Sequence, residues 1–537
     1  MTPTGKRGLS AGAGTHIGSS SQPRRAQHST GAAVGHQVRE SKWHKRSLPE
    51  GTMEKLYVAC DLGADRGRIS LGNLHKGRLR LTEVRRFPNQ PTKDGDTGQW
   101  DIPYLYQHLM DGLTELGRSY ESVNGVSCSS WGHDYMLFDS DGSLISPTYA
   151  QPAARARANM DEIVSRITGE TIFDETGFQP ELKSALFQLG TEKSRRLSQT
   201  DRLLPMADGF NYLLSGQARV ETSLASTTQL YNPSQRDWAH RLVEAVRLPA
   251  RILPPIVASG TVLGPLREDI AKQTKLEDVA VISSCSHELA AAIVGIPAPG
   301  DVNWAFLNPG TWSVMGVELP EPIVSAAARE LDFANEAGYG GTVRFMKRTA
   351  GLWLVEECRR HWAGSTDDLD SSLLMHLAAQ SPPFESLINP MEPRFLTPGD
   401  MPLKIKAFCK ESGQTVPRKP GPIIRCVLES IALFQRKTLS EIEAVTDRKI
   451  KQLYLLNGGV MDSLLTSFIT NALQIPVIIV PPETTAIGNV LVQAMALGQV
   501  SSLEEARAMV RESYRFETLQ PHAEIWNSAF QRLEQLT

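Results

Sequence analysis

The chain has 537 residues, a formal charge of -3, 41% hydrophobic and 21% charged residues. That is ordinary globular composition at a length that predicts two or more domains. The near-neutral balance leaves no basic footprint for nucleic acid, and no run reaches the ~18 apolar residues of a membrane span, so an anionic partner has to be held locally by backbone amides and a few side chains.

Residues 1–52 are rich in Ser, Gly, Arg and His, and carry no acidic residue before Glu40. Such a segment is expected to be a disordered extension. It has neither the apolar core of a secretory leader nor the amphipathic face of a transit peptide, so targeting is the lesser reading. Met53 reads as a natural start. The six cysteines, Cys60, Cys128, Cys285, Cys358, Cys409 and Cys426, form no C-x-x-C pair. This argues against a zinc or thioredoxin-like site and for reduced thiols in a cytoplasmic protein.

From Leu56 the pattern turns to strands. Leu56–Asp61 is a short apolar run, Leu62–Gly67 a glycine-containing turn and Arg68–Leu74 a second strand. Leu79–Phe87 follows as a strand, Ile102–Leu116 as a helix, and Val123–Ser129 and Met136–Phe138 as strands. Pro-Ala-Pro-Gly at Pro297–Gly300 interrupts the pattern and marks a domain boundary. A second hairpin comes next: strand Trp304–Asn308, turn Pro309-Gly310-Thr311, strand Trp312–Val317. Helices are expected near Gly351–His361 and Pro422–Ala444. Strand Leu453–Leu456 runs into Asn457-Gly458-Gly459, followed by helix Met461–Leu473, strand Val477–Val480 and helix Ala486–Ala496. The expected organisation is an extension over 1–52, an N-terminal domain over 53–297, a C-terminal domain over 298–515 and a tail or helix over 516–537. Each domain opens on a glycine-turn hairpin.

Three segments carry chemistry. In Asp61-Leu62-Gly63-Ala64-Asp65-Arg66-Gly67-Arg68, the glycines let backbone approach an anion and turn amides can form an anion-binding concavity. Asp61 could hold Mg2+ through water. A plain hairpin turn is the competing reading, since glycines are common there. Thr311 offers a hydroxyl and an amide to the other end of a polyphosphate. Gly458 and Gly459 leave room for a nucleotide, although a ligand-free strand-to-helix turn fits equally well.

Taken together the motifs resemble the carbohydrate kinases that include glycerol kinase, xylulokinase, fuculokinase and rhamnulokinase, with rhamnulokinase the best match. The resemblance runs from about Leu56 to about Gly498. It rests on Asp61-Leu62-Gly63-Ala64 with Gly67-Arg68, Trp131-Gly132-His133-Asp134, Ser226-Thr227-Thr228-Gln229-Leu230, Ser286-His287, Gly310-Thr311-Trp312-Ser313, Gly351-Leu352-Trp353-Leu354, Gly458-Gly459 and Gly488-Asn489, in that order. It implies an α/β, two-domain actin-like ATPase (ribonuclease H-like) fold with a nucleotide and sugar cleft. It also implies ATP and Mg2+ as cofactors, a small sugar as partner, no nucleic acid or membrane, and a monomer or homodimer. The implied reaction is phosphoryl transfer to the 1-hydroxyl of a ketose such as L-rhamnulose. By position Ala64, Asp65, Arg66, Gly67 and Arg68 would face the phosphates, with Thr311 opposite and Gly458 and Gly459 flanking the nucleotide. Gly132 and His287 would line the sugar site, and Asp134 would meet sugar hydroxyls or metal.

Several positions depart from the family pattern. Where the family has its general base, an aspartate after Ser-His, this sequence has Glu288, whose usual pKa differs by only about 0.4 unit but whose reach is one methylene longer; with Ala290–Ile293 reading as a helix start, a plain helix N-terminal carboxylate is the competing reading. Gln151-Pro152-Ala153-Ala154-Arg155 stands where Tyr-Arg-Asp-x-Arg is usual, and Arg348 replaces a sugar-contacting asparagine. Glu356 replaces a glutamine that touches nucleotide, and Asp65-Arg66 replaces two serines. Arg348 could pair with an anionic sugar group or be a solvated arginine. Cys409 and Cys426 match two cysteines that pair in some relatives; reduced thiols are expected here. The readings left open are a ketose 1-kinase, a kinase for fuculose or another polyol, and a sugar- or nucleotide-binding protein with little catalysis.

Overall fold

The computed structural model describes residues 54–537 apart from 95–96, 151–152, 193, 364–368, 457–462 and 523. Two mixed sheets dominate it, and both lay their strands down in the same order. In the first, β1 (Lys55–Leu62), β2 (Arg66–His75) and β3 (Arg78–Pro88) form an antiparallel meander. Helix α1 (Ile102–Ser119) then leads to β4 (Gly125–Ser130), which runs parallel to β1. The short helix α2 (Thr222–Thr227) comes between β4 and the strands β5 (Thr261–Pro265) and β6 (Ala280–Ser283). The sheet order is β5-β6-β4-β1-β2-β3. Helix α3 (Glu288–Val294) ends this half.

The second sheet contains β7 (Trp304–Asn308), β8 (Trp312–Leu319), β9 (Phe333–Ala337) and β10 (Val343–Ala350) as antiparallel strands. After helices α4 (Trp353–Trp362) and α5 (Pro420–Thr446), β11 (Gln452–Leu455) runs parallel to β7. Helix α6 (Ser463–Leu473) leads to β12 (Val477–Ile479), and α7 (Thr484–Ala496) follows. The order is β9-β10-β8-β7-β11-β12-β13, with β13 (Glu517–Leu519) on the edge, and helix α8 (Ile525–Glu534) packs against α5 and α6. The run β3-β2-β1-β4-β6 and the run β10-β8-β7-β11-β12 are the same topology.

The apolar strands owe their continuity to having helices on both faces. In β1, Leu56, Val58, Cys60 and Leu62 enter the core shared with α1, while Tyr57 and Ala59 enter a second core shared with α7. In β7, Ala305 and Leu307 face one core and Phe306 the other. Helix α3 divides its faces in the same way. Ala290, Ala291 and Val294 meet α7 and β1, whereas Leu289, Ala292 and Ile293 meet Phe306, Met346 and Tyr454 of the second sheet. It is therefore wedged between the two sheets. The crossing with α7 is so close that a Cβ on Gly488 would lie 1.7 Å from the Ala291 carbonyl oxygen. Among the described residues no helix is long and apolar enough to cross a membrane, and the six cysteines are buried and free of disulfides.

Candidate active site

The turn joining β1 to β2 is the first wall of the site. Ala64, Asp65 and Arg66 are exposed, and Gly67 lies within β2 with its Cα against the Phe87 ring. Asn89, which the motif reading missed, braces the turn. Its Nδ2 donates to Gly63 O at 2.7 Å and its backbone NH to Asp65 O at 3.1 Å. Arg68 points back along the sheet, with Nε 3.5 Å from Glu83.

Opposite this turn stands the N-terminus of α3. His287 is its N-cap and Glu288 its first residue. The chain reaches this point with exact support from both sides. Ser130 N donates to Ser286 O at 2.8 Å, and Ser286 N donates to Glu221 Oε2 at 2.9 Å. The half-buried Glu288 extends toward the turn: its Oε2 lies 3.9 Å from where a Cβ on Gly63 would be. Burial, then the charges of Asp61 and Asp65, push the Glu288 carboxyl up to about 8. Asp61, at the end of β1, is likewise pushed up to about 6 by burial, with Arg68 opposing. Its Oδ1 is shielded from solvent and has no hydrogen-bond partner.

The next wall follows β4. Gly132 lies on the end of α2, where a Cβ would sit 2.9 Å from the Thr227 side chain. His133 takes a left-handed backbone (φ 78°), and its Nδ1 donates to Thr227 O at 3.1 Å. Asp134 is buried and its oxygens are already engaged: Oδ2 accepts from Trp100 Nε1 at 2.7 Å and Trp131 Nε1 at 2.9 Å, and Oδ1 faces Gln188 Nε2 at 3.4 Å. Burial raises its carboxyl against these bonds. In this geometry Asp134 holds the two indoles, whose ring centroids are 4.2 Å apart.

Arg348, on β10, crosses to the N-terminal half and pairs with Glu181 at 2.8 Å while its guanidinium lies over Trp312. Burial alone would raise the Glu181 carboxyl, but Arg348 and His133 bring it below the usual range. Gln229 fixes this loop by accepting from Glu181 N at 2.9 Å and donating to Gln179 O at 2.8 Å. Lys183 lies beside the pair and Asp134; burial, then Arg348, hold its amine below the usual range. On the far wall Thr311 is exposed at the β7–β8 turn. The carbonyls of Gly310 and Thr311 accept from Leu352 N at 2.9 Å and Trp353 N at 3.1 Å. Gly351 is essential to that seat, since a Cβ there would lie 2.3 Å from Gly310 O. Gly458, Gly459 and the segment Gln151–Arg155 lie outside the residues whose side chains are described.

Models of the N-terminal and C-terminal domains of the FGGY family of carbohydrate kinases match residues 56–295 and 305–497. A rhamnulokinase of Bacteroides thetaiotaomicron is 36% identical over 482 residues, covering 89% of this chain and 98% of that protein. The chain belongs to the FGGY family of carbohydrate kinases. A rhamnulokinase of Enterococcus faecalis is 32% identical over 88% of this kinase and 95% of its own length. Among solved structures, a gluconate kinase from Lactobacillus acidophilus superposes with a TM-score of 0.75 at 14% identity, covering 90% of this kinase and 97% of that chain. A Plasmodium falciparum glycerol kinase with ADP superposes with a TM-score of 0.73 at 11% identity, over 90% and 98%. The kinase therefore has the two-domain, actin-like fold of these enzymes and phosphorylates a sugar with ATP.

The residues present fit Mg-ATP. An unpartnered buried Asp61 oxygen and two carboxyls pushed upward together mark a place that a cation would relieve. Among the described residues no three His, Cys, Asp or Glu side chains converge closely enough to hold a metal alone. Asp61 would hold Mg2+ through water, as that ion favours.

Proposed function

We propose that the kinase transfers the γ-phosphoryl group of Mg-ATP to the 1-hydroxyl of an L-rhamnulose-like ketose, with Glu288 as general base. One observation carries this reading: Glu288 reaches from the wedge helix to the first hairpin turn, 3.9 Å from the Cβ position of Gly63. A carboxylate there stands between the wall assigned to the sugar and the wall assigned to phosphate. Bound Mg-ATP would supply the phosphoryl group and the positive charge that brings the Glu288 and Asp61 carboxyls down from their raised values. Glu288 then takes the proton of the attacking hydroxyl, the role a positioned carboxylate plays in such transfers. The exposed Ala64–Arg66 turn and Thr311 would hold the phosphates, and Trp100 and Trp131 stiffen the wall behind Gly132. The Ala64–Arg66 turn and Gly132 belong with the first sheet and Thr311 with the second, so we place the division of the lobes at 297/298, where the chain leaves α3.

A second reading has its own support. The methyl group of a 6-deoxy ketose needs an apolar wall, whereas Glu181, Lys183 and Arg348 make this end of the cleft ionic. Those groups favour a sugar with hydroxyls where rhamnulose has its methyl. A coupled assay of ADP release with Mg-ATP and a panel of ketoses and polyols separates the two. The first reading expects L-rhamnulose to give the highest kcat/KM, and the second a fully hydroxylated sugar. Sugar-independent turnover alone, from folded protein, would remove both.

A further inference from the structure

Arg344, on β10, is the largest fully buried side chain of the described residues, and its guanidinium meets both His287 and the carboxylate beside it. Its Nε donates to Ala337 O at 3.1 Å, its Nη1 lies 2.9 Å from His287 Nδ1, and its Nη2 lies 2.6 Å from Glu336 Oε2. Glu336, on β9, is also 3.3 Å from His287 Nδ1. Two protonation patterns compete at that nitrogen. A proton on Nδ1 could reach Glu336, but it would then face an N–H of a guanidinium only 2.9 Å away. Guanidinium has donors alone and stays charged. The shorter contact therefore requires a lone pair on Nδ1. Glu336 needs no second proton, because Arg344 already balances it: burial opposes its ionisation, yet the Arg344 guanidinium, the strongest of the groups beside it, holds the carboxyl below the usual range. Burial also keeps the His287 imidazole below its usual range, against the pull of Glu336.

We propose that Arg344 is a positioning residue that fixes His287 as the neutral tautomer protonated on Nε2, making the imidazole a hydrogen-bond donor to the acceptor sugar. The inference rests on the reading that His287 lines the sugar site. Among the described residues no protein group bonds Nε2, so this N–H is the one left for a ligand. The backbone of His287 is held from the other lobe. Its NH donates to Ser223 Oγ at 3.0 Å, and Ser223 in turn bonds Glu221. The residue before the proposed base is thus gripped by the first half through its backbone and by the second half through its ring. A donor at Nε2 selects an oxygen acceptor on the sugar, such as the ketose carbonyl next to the 1-hydroxyl.

The test uses the full chain labelled with 15N-histidine, with His287→Gln assigning the resonance. At pH 7 the wild type is expected to show only the Nε2-protonated neutral form at His287. In Arg344→Gln that signature is expected to be lost, with KM for L-rhamnulose (or the best ketose of the panel) rising ~10-fold, the loss of about one hydrogen bond, while KM for ATP stays within about 2-fold. Arg344→Lys, which restores a donor to Nδ1, is expected to recover part of both. An Nδ1-protonated or doubly protonated His287 in the wild type overturns the inference. So does an Arg344→Gln protein with unchanged tautomer, or with equal rises in both KM values. If Arg344→Gln does not fold, the wild-type spectrum and Arg344→Lys still decide. The spectrum needs no turnover, so a kinase inactive on every sugar would sink the proposed function and leave this inference to be judged by itself.

Discussion

Asp134 shows how much one side chain fixes in this cleft. Its carboxyl holds two indole N–H groups, one from Trp131 in its own segment and one from Trp100 ahead of α1. Asp134→Ala would strand both donors in a buried site, and each stranded donor costs ~1–3 kcal/mol. We therefore expect a stability loss of ~2–5 kcal/mol by chemical denaturation, together with a raised KM for sugar. Unchanged stability would mean that the indoles find other partners.

Glu336 gives the clearest dependence on pH. Its folded value of about 2 lies below its unfolded value of 4.5. A carboxyl depressed on folding stabilises above its unfolded pKa and loses that contribution as pH falls through the folded one. The window here runs from about pH 4.5 down to 2, and the amount is ~3 kcal/mol. The stability gap between wild type and Glu336→Gln should be largest above pH 5 and shrink as pH falls from about 4.5 toward 2. A gap that does not change with pH would contradict the ion pair with Arg344.

At the scale of elements, the crossing of α3 and α7 sets where Glu288 stands. Gly488→Ala would put a methyl into the Ala291 carbonyl, so α3 must shift. Overpacking of this kind costs ~1–3 kcal/mol, and a ~1 Å shift of the base costs on the order of 10²-fold in rate. The expected result is a modest fall in melting temperature with a far larger fall in kcat. Equal, small effects on both would show that α3 does not govern the base.

The same scale explains what could be read in advance. The hairpin turns, Ser286–Glu288 and the helix start at Ala290–Ile293 are local: strand, glycine and helix start lie side by side in the chain. Arg344, Glu336, Glu181 and Asn89 reach the site only through packing from distant segments. Strands β9 and β10 escaped detection because Glu336, Arg344 and Lys347 are charged yet buried, which breaks the apolar alternation that marks a strand. They can be buried because each is paired, Lys347 with Glu441 at 2.7 Å and Arg344 with Glu336 at 2.6 Å. Between 139 and 279 the sequence yields motifs but no assigned elements for a related reason: helices such as Met206–Ser215 and Thr222–Thr227 are short, and buried Asp208 and Glu221 hide among polar residues.

For the whole molecule, the repeated strand order is the organising fact. Each half offers one glycine hairpin, and the single helix between them carries the proposed base. Two residues of β10 already reach groups of the N-terminal half, Arg348 to Glu181 and Arg344 to His287. Closure around substrates would exclude water, the competing phosphoryl acceptor.

The most direct measurement is sugar-dependent ADP release by the wild type and by Glu288→Gln, with folding of both verified. The account predicts turnover in the wild type and a fall of at least ~10²-fold in kcat for the variant, with KM for ATP nearly unchanged, the usual size of a lost general base. A Glu288→Gln enzyme that phosphorylates the same sugar at close to the wild-type rate would contradict it.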